Sequence, residues 1–592
     1  MDKRWQLAEP INDAWRDKFP ELHPITVQLL KNRGIETQQQ VDEFLLPDYG
    51  ENLHDPFLFR EMELVCRRIW SAIEDGERLT VFGDYDADGV CGTAILLTTF
   101  RQVADLCGSD PELINSYIPH REYEGYGLNN EAVRSIADSG SRLIITVDCG
   151  ISNATEVDLV HQLGLDIIVT DHHQVPEHVP NCLIIHPLVP GENYPHDCLA
   201  GAGVAFKLAA AFLDYARQQG LEIPVGQEKW LLDLVAIATV TDFMKLVGEN
   251  RTLEKWGLVV LNKTRRPGLR KLIEAAGLEL GKLDTVSVGY YLGPRINAAS
   301  RMEHADLALE TLLIKDETQA MDLARKLNLC NAERQRVTEE IYRQAAKMFV
   351  PDKKVQVIVG TGWSAGVVGI VAGKLVTDWG VPVFVLSEQE DGRIVGSGRG
   401  IREFDLVDLL RTSANFLARY GGHPEACGLT IEKQENLDGF IAQAWQYAEE
   451  KLADRDLRPM LQLDAELLTD QITWDLINEL ERFEPFGVGN PKPLFLIKNA
   501  QLISFQPVGK DGKHVRVSTR GVGPRELKLI GFGFAERVAA FIPGDEIDVV
   551  VELGVNEWNG TKNIQVRMVD LRRSLEKKDK LESKVVQAAA ND

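Results

Sequence analysis

The chain has 592 residues, enough for several hydrophobic cores, so about three or four domains are expected. Apolar residues make up 44% and charged residues 26%, the balance of an ordinary water-soluble protein. With 65 basic against 89 acidic residues the net charge is −24, which argues against a uniformly basic nucleic-acid coat but allows a local basic channel, or an acidic site whose sign is reversed by divalent cations.

No run of about 18 apolar residues points to a membrane span. The first residues, MDKRWQLAEPINDAW, lack the apolar stretch of a signal peptide. The eight cysteines contain no C-x-x-C pair, so neither a zinc knuckle nor a thioredoxin-like site is suggested, and they read as reduced thiols. A cytoplasmic location is expected.

Residues 1–60 read as a small helical lead-in. A pattern then repeats in which an apolar β-rich run ends in an acid and a helical stretch follows: LTVFGD (79–84), RLIITVD (142–148) and DIIVTDHH (166–173). That alternation predicts a parallel sheet with helices on both faces. Further helices are expected at 200–218, 228–240 and 252–276. Residues 303–350, rich in Ala, Leu, Glu, Arg and Lys, predict one long connecting helix. A second, smaller α/β domain follows over 351–457, with KVQVIVG and PVFVLSE as strands and GVVGIVAGKLVTDWG as a helix closed by a glycine. From 458 to 573 short strands alternate with Gly-rich turns, which fits a small all-β barrel such as an OB-fold. Residues 574–592 form a charged tail.

Asp84, Asp86 and Asp88 alternate in VFGDYDADG, and like charges this close need neutralising. D-x-D-x-D-G also opens a calcium EF-hand loop, but loop position 12 is Ile95 rather than Glu, and LTVF reads as a strand where an EF-hand needs a helix. A solvated acidic turn would explain one or two acids more easily than three beside two further acid-ended strands. In an open parallel sheet, ligands bind beyond the carboxyl ends of the strands. Asp84, Asp86, Asp88, Asp148, His172 and His173 should therefore converge on one edge, with Asp242, at the end of LLDLVAIATVTD, able to join them. Carboxylates with one or two imidazoles suit Mn2+ or Mg2+, and two such ions about 3.5–4 Å apart suit phosphoester hydrolysis.

VFGDYDADG, VDCGIS and TDHHQ resemble the successive motifs of the DHH phosphoesterase family. GAGVAFKL, AIATVTDF, GPRINAASRM, GWSAGVVGIVAGKL, GSGRGI, YGGHPEACG, PFGVGNPKPLF and NEWNG extend the likeness to the RecJ family within it, over roughly residues 25–570. The fold so implied is α/β: a DHH phosphoesterase domain (61–302) joined by the long helix to a DHH-associated domain, followed by the OB-fold domain. The activity implied is a two-metal, single-strand-specific DNA exonuclease that works 5′ to 3′, releases mononucleotides and serves DNA repair and recombination.

Carried over by motif, Asp86, Asp88, Asp148, His172 and Asp242 would be metal ligands, with Asp84 a ligand or close by. His173 would face the scissile phosphate and Asp171 would orient the histidines. Ser397, Arg399, Gly421, Gly422 and His423 would grip a terminal phosphate, with Arg295 and Arg301 as further candidates. For any one arginine, a surface salt bridge is the bland alternative. Two positions depart from the family pattern: Ser364 replaces a usual histidine and Ser300 a common glycine. In the barrel, Lys510, Lys513, His514 and Arg516 offer a basic strip. Trp558 reads as an exposed stacking platform, and Phe532 as core packing. The resemblance implies single-stranded DNA, a single-strand-binding protein and a RecQ-like helicase as partners, with no membrane, and we expect a monomer. Rival readings are a DHH phosphodiesterase for short oligonucleotides or cyclic dinucleotides, a pyrophosphatase, and a catalytically inactive replication scaffold.

Overall fold

The computed structural model describes residues 3–521, 526–558 and 560–574. It divides into two compact units. One runs from Asp48 to Arg458; the other joins the N-terminal segment up to Pro47 with the chain from Pro459 onward.

The first unit opens with a five-stranded parallel sheet. Its order is Ile114–Tyr117, Leu79–Gly83, Leu143–Val147, Asp166–Thr170 and Leu183–Ile185. The central strands LTVFG and LIITV are buried along their whole length, as a sheet covered on both faces requires. Alternate residues serve opposite faces. Val81, Ile145 and Ile168 pack with the helices Met62–Glu74, Ala87–Cys107 and Gly201–Gln218. Phe82, Ile144 and Ile167 pack with Asn130–Asp138 and Ala154–Gln162. By length and composition Ala87–Cys107 could cross a membrane, but it is a core helix of this domain, with most of its residues buried.

Two expected helices are each broken in two. The stretch 252–276 divides into Gly248–Leu261 and Pro267–Ala275, with Pro267 at the start of the second helix, where a missing N–H costs nothing. The single helix expected over 303–350 is Asp306–Leu313 followed by Glu317–Ala345. Asp316 makes the break by accepting from the Thr318 and Gln319 N–H groups as an N-cap. Beyond it lies a mixed five-stranded sheet in the order Arg419–His423, Ala426–Ile431, Ile394–Arg399, Val383–Glu388 and Gln356–Thr361. Helix Ala365–Trp379 ends at Gly380, whose φ of +68° makes the expected glycine cap.

In the second unit the strands Phe495–Val508, His514–Arg520, Glu526–Gly531, Thr561–Arg573 and Glu546–Trp558 close into a barrel, because the last pairs back onto the first. The N-terminal segment has the expected helices, Asp13–Lys18, Pro24–Asn32 and Gln38–Leu45, but also an unexpected strand. Arg4–Leu7 is a strand, paired in parallel with Met460–Leu463, and Val27, Leu30, Val41 and Phe44 share the barrel's core with Leu476, Phe483 and Phe495. The tail beyond residue 574 lies outside the described residues.

Candidate metal centre

The strands of the parallel sheet, numbered in chain order, lie 2-1-3-4-5. The chain leaves the first and third strands in opposite directions, which opens a crevice at their carboxyl ends. Asp84 leaves the first and Asp148 the third, and the ladder runs on just past the strands through Asp84 N–H to Val147 O (3.3 Å) and Asp148 N–H to Thr170 O (3.0 Å). Asp171, His172 and His173 follow the fourth strand. Asp242 follows the last residue of helix Leu232–Thr241.

Local structure fixes each acid. Asp86 is the N-cap of Ala87–Cys107, its Oδ1 accepting from Asp88 N–H (2.9 Å) and Gly89 N–H (3.1 Å). Gly89 is required because a Cβ there would lie 2.6 Å from Asp84 O. The Asp88 carboxylate accepts from Gly201 N–H (2.6 Å) and Ala202 N–H (2.7 Å), the positive start of helix Gly201–Gln218. Asp148 adopts φ +62°, an uncommon conformation for a residue with a side chain.

Three groups result whose donor atoms lie within 4.8 Å of one another: Asp84, Asp86 and Asp148; Asp88, His172 and Asp242; and Asp148, His172 and His173. His172 Nε2 is 3.0 Å from Asp148 Oδ1, 3.6 Å from Asp242 Oδ2 and 3.7 Å from Asp88 Oδ2. Asp84 Oδ1, Asp148 Oδ1, His172 Nε2 and Asp242 Oδ2 are all buried without a hydrogen-bond partner. Buried polar atoms are normally paired, so four orphans shared among these adjoining groups fit a site built for cations. Hard oxygen donors with one imidazole suit Mn2+ or Mg2+.

The electrostatics agree. Burial, then neighbouring aspartates, push Asp84 and Asp148 well above the usual carboxylate range, Asp88 to about 7 and Asp242 to about 9. Burial and the charge of His173 push His172 down to about 3, so its imidazole is neutral and free to ligate. Asp171 behaves oppositely. Burial alone would raise it, but the His173 hydrogen bond and charge and the Ile151 N–H outweigh burial and hold it at about 2. Its Oδ1 accepts from the His172 and His173 N–H groups (2.7 and 3.1 Å) and lies 2.8 Å from His173 Nδ1, while Oδ2 accepts from Ile151 N–H (3.0 Å). Every bond it makes is to the His173 ring or to a backbone N–H. His173 is raised despite burial, chiefly by its bond to Asp171 and that residue's charge.

Three participants are not singled out in the sequence, although one of them, Asn297, lies within the motif GPRINAASRM. Tyr126 donates from its hydroxyl to Asp148 O (3.0 Å) and lies 3.0 Å from His173 Nδ1. Asn297 Oδ1 accepts from Ala87 N–H (2.8 Å) and so fixes the Asp86–Asp88 turn. The Arg121 guanidinium lies 4.6 Å over the Tyr85 ring and acts on Asp84. Residues 119–127 follow neither helix nor strand periodicity, so nothing marks Arg121 or Tyr126.

Of the predicted phosphate-holding residues, Arg301 donates to Gly366 O (2.6 Å) beside the start of helix Ala365–Trp379. Burial, then Arg121, Arg334 and Arg399, lower its guanidinium to about 9, with Asp86 pulling the other way. Arg121 and Arg301, from distant segments, thus interact with the acids, and Arg399 interacts with both arginines. Arg399 donates to Ser397 Oγ (2.6 Å) and Gly398 O (2.8 Å). Gly369 admits both side chains, since a Cβ there would lie 2.9 Å from one Arg399 nitrogen and 3.0 Å from Ser397 Oγ. Gly421 pairs with Gly428, which pairs with Ser397; His423 pairs with Ala426, which pairs with Arg399. A Cβ at Gly421 would meet nothing within 4 Å, so the sheet is bare there. Gly422 has φ +134°, which only glycine adopts readily. Arg295 donates to Asn328 Oδ1 (3.0 Å) and Tyr291 O (2.8 Å), and its charge acts on Arg334, which in turn acts on Arg301.

Family models match along the chain as the DHH family, N-terminal domain over 78–239, the DHHA1 domain over 352–450 and the RecJ OB domain over 463–570. The single-stranded-DNA-specific exonuclease RecJ of Bacillus subtilis (strain 168) is 37% identical over 574 residues, 96% of this chain and 70% of the relative. The chain belongs to the RecJ family. The RecJ of Escherichia coli (strain K12) is 30% identical over 96% of this chain and 99% of its own length. The RecJ of Thermus thermophilus, 31% identical in its crystal structure with Mn2+, superposes over 97% of this chain and 80% of that chain with a TM-score of 0.81. Its Mg2+ complex gives 0.76, at 30% identity over 97% and 79%.

Ser364 precedes helix Ala365–Trp379 without capping it through its side chain. Ser300 is buried and donates to Asn297 O (3.3 Å). In the barrel Lys510, Lys513 and Arg516 are exposed. Phe532 is not core, as expected from sequence, but 53% exposed, its ring edge-on to His514 at 5.4 Å. The Trp558 side chain lies outside the described residues.

Proposed function

We propose that this chain is a divalent-metal-dependent exonuclease that degrades single-stranded DNA from the 5′ end and releases mononucleotides. The observation that carries the reading is the set of buried, unpartnered donor atoms on Asp84, Asp148, His172 and Asp242 beside gathered arginines. Asp84, Asp86 and Asp148 would hold one Mn2+ or Mg2+ ion; Asp88, His172, Asp242 and again Asp148 would hold a second. Such ions, when bound, activate water and stabilise the leaving oxygen of a phosphodiester.

The chain's own groups do the rest. Asp171 and Tyr126 fix the His173 ring, whose raised basicity lets it donate a hydrogen bond to the scissile phosphate. Ser397, Arg399, Arg301 and Arg121 hold the terminal phosphate, arginine forks matching its oxygens. The bare glycines at 421 and 422 let backbone approach it, with His423 as a further donor. A site that grips a terminal phosphate on one side of the acids sets the direction of attack. On the barrel, Lys510, Lys513, Arg516 and Phe532 supply cations and a ring for a single strand.

This reading carries a cytoplasmic role in DNA repair and recombination, with a single-strand-binding protein and a RecQ-like helicase supplying the strand to a monomeric enzyme. A phosphodiesterase for short oligonucleotides would have no use for the barrel. The direct test is Mn2+-dependent release of mononucleotides from a single strand against the same sequence as blunt duplex, with Asp148→Ala as control. Release from the single strand alone, lost in the variant, supports the proposal; equal release from duplex, or activity surviving in Asp148→Ala, defeats it.

A further inference from the structure

We infer that Phe243 and Tyr290 form a stacking platform for unpaired bases of the strand held at the metal centre. The inference rests on the exonuclease reading and extends it to a base-binding site.

Phe243 directly follows Asp242, whose Oδ2 lies 3.6 Å from His172 Nε2. It closes helix Leu232–Thr241 in the left-handed conformation, φ +56°, while its N–H donates to Val240 O (3.3 Å) and the Met244 N–H to Thr239 O (3.0 Å). That position in a helix terminus favours glycine or asparagine, and a bulky ring there is strained. Burial does not compensate the strain, because Phe243 is 75% exposed. Among the described residues no ring or cation stacks on it. A single exposed apolar side chain is ordinary. A strained, solvent-facing aromatic adjoining a metal ligand is not, and strain of this kind concentrates at functional sites.

A second aromatic borders the same helix end. Tyr290, 77% exposed, lies on the π-helical turn Val288–Leu292. Two glycines bring that turn against the helix: a Cβ at Gly289 would lie 3.4 Å from Val240, and one at Gly293 would lie 2.2 Å from Thr241. π turns also gather at functional sites. Exposed Lys245, two residues beyond Phe243, adds a cation for backbone phosphate.

The occupant follows from the neighbours. A phosphate drawn to the metal centre carries its own base, and the exposed rings of Phe243 and Tyr290 border that centre. Every base has a π face, so stacking serves an enzyme that must accept any sequence.

The test compares kcat/KM in Mn2+ on a single strand with natural bases and on the same strand carrying abasic terminal nucleotides. The proteins are the wild type, Phe243→Ala, Tyr290→Ala and Phe243→Trp. Wild type should lose roughly 5- to 150-fold on the abasic strand, the worth of one stacked base. Phe243→Ala should lose a similar factor on the natural strand and little more on the abasic one, and Phe243→Trp should restore discrimination. Phe243→Gly relieves the backbone strain, so its Tm should not fall while its activity follows Phe243→Ala; that separates lost stacking from lost folding. Equal losses on both strands, or an unchanged Phe243→Ala, would overturn the inference alone. A wild type that degrades neither strand would overturn the exonuclease reading and this site with it.

Discussion

His172 Nε2 and Asp148 Oδ1 lie 3.0 Å apart, and neither atom makes a hydrogen bond. They come from the ends of adjacent strands, both buried, and a shared cation is what reconciles them. Because Asp148 belongs to donor sets on both sides, Asp148→Asn should weaken both metal positions at once. Its rate should fall further than the about 10- to 100-fold typical of losing a residue that only orients a ligand. Calorimetric titration with Mn2+ alongside kcat measures both effects.

Stability should depend on pH and metal together. In the metal-free protein Asp88, at about 7, and Asp242, at about 9, keep protons that the unfolded chain gives up near the ordinary 3.8. The native state then binds more protons than the unfolded one, so stability falls as pH rises through that window. His172 works in the opposite sense, but only below its ordinary 6.5. From about pH 6.5 to 9 the Tm of chelator-treated protein should drop, and Mn2+ should raise Tm more at the upper end. At about a hundredfold excess over Kd the ion adds about 2.7 kcal/mol. A metal effect independent of pH would point away from these carboxylates.

Gly201→Ala tests packing around the site without replacing a ligand, by crowding Asp148. Its Cβ would lie 2.5 Å from Asp148 Cβ and 2.7 Å from Oδ1. Either the helix or the aspartate must shift, at a cost of about 1–3 kcal/mol. Mn2+ affinity and kcat should both fall while circular dichroism keeps its native form.

Arg399→Ala should remove preference for a terminal phosphate. Wild type is expected to cut a 5′-phosphorylated strand faster than a 5′-hydroxyl strand, and the variant should treat the two alike. Arg121→Ala should do the same if both hold one phosphate, a residue that only the folded structure singles out.

Tyr126→Phe removes one hydroxyl that touches both Asp148 O and His173. We expect kcat to fall about 10-fold with KM nearly constant, as for loss of a group that orients a reacting side chain.

The acids are legible because a short apolar β-rich run ending in Asp is both a strand and a ligand position. The strand order that joins Asp84 to Asp148 is not legible, because the short strand Ile114–Tyr117 carries no clear apolar run and lies on the far side of the first strand. The break before Glu317 is not legible against so helical a composition, although Asp316 is a good cap. Nor is the pairing of Arg4–Leu7 with Met460–Leu463, because nothing local marks a partner so far along the chain. Arg121, Tyr126 and Asn297 act through contacts made only in the folded state. Phe532 reads wrongly as core because GFGF suits barrel wall and rim equally well, and exposure is a tertiary property.

The central claim is a metal centre whose strand enters with a fixed polarity. Its most direct test is a time course in Mn2+ on one internally labelled single strand, blocked at either the 5′ or the 3′ end. The 5′ block should stop mononucleotide release and the 3′ block should not. Release that is stopped by the 3′ block instead, or an enzyme that cuts dinucleotides while leaving both long strands intact, would contradict it.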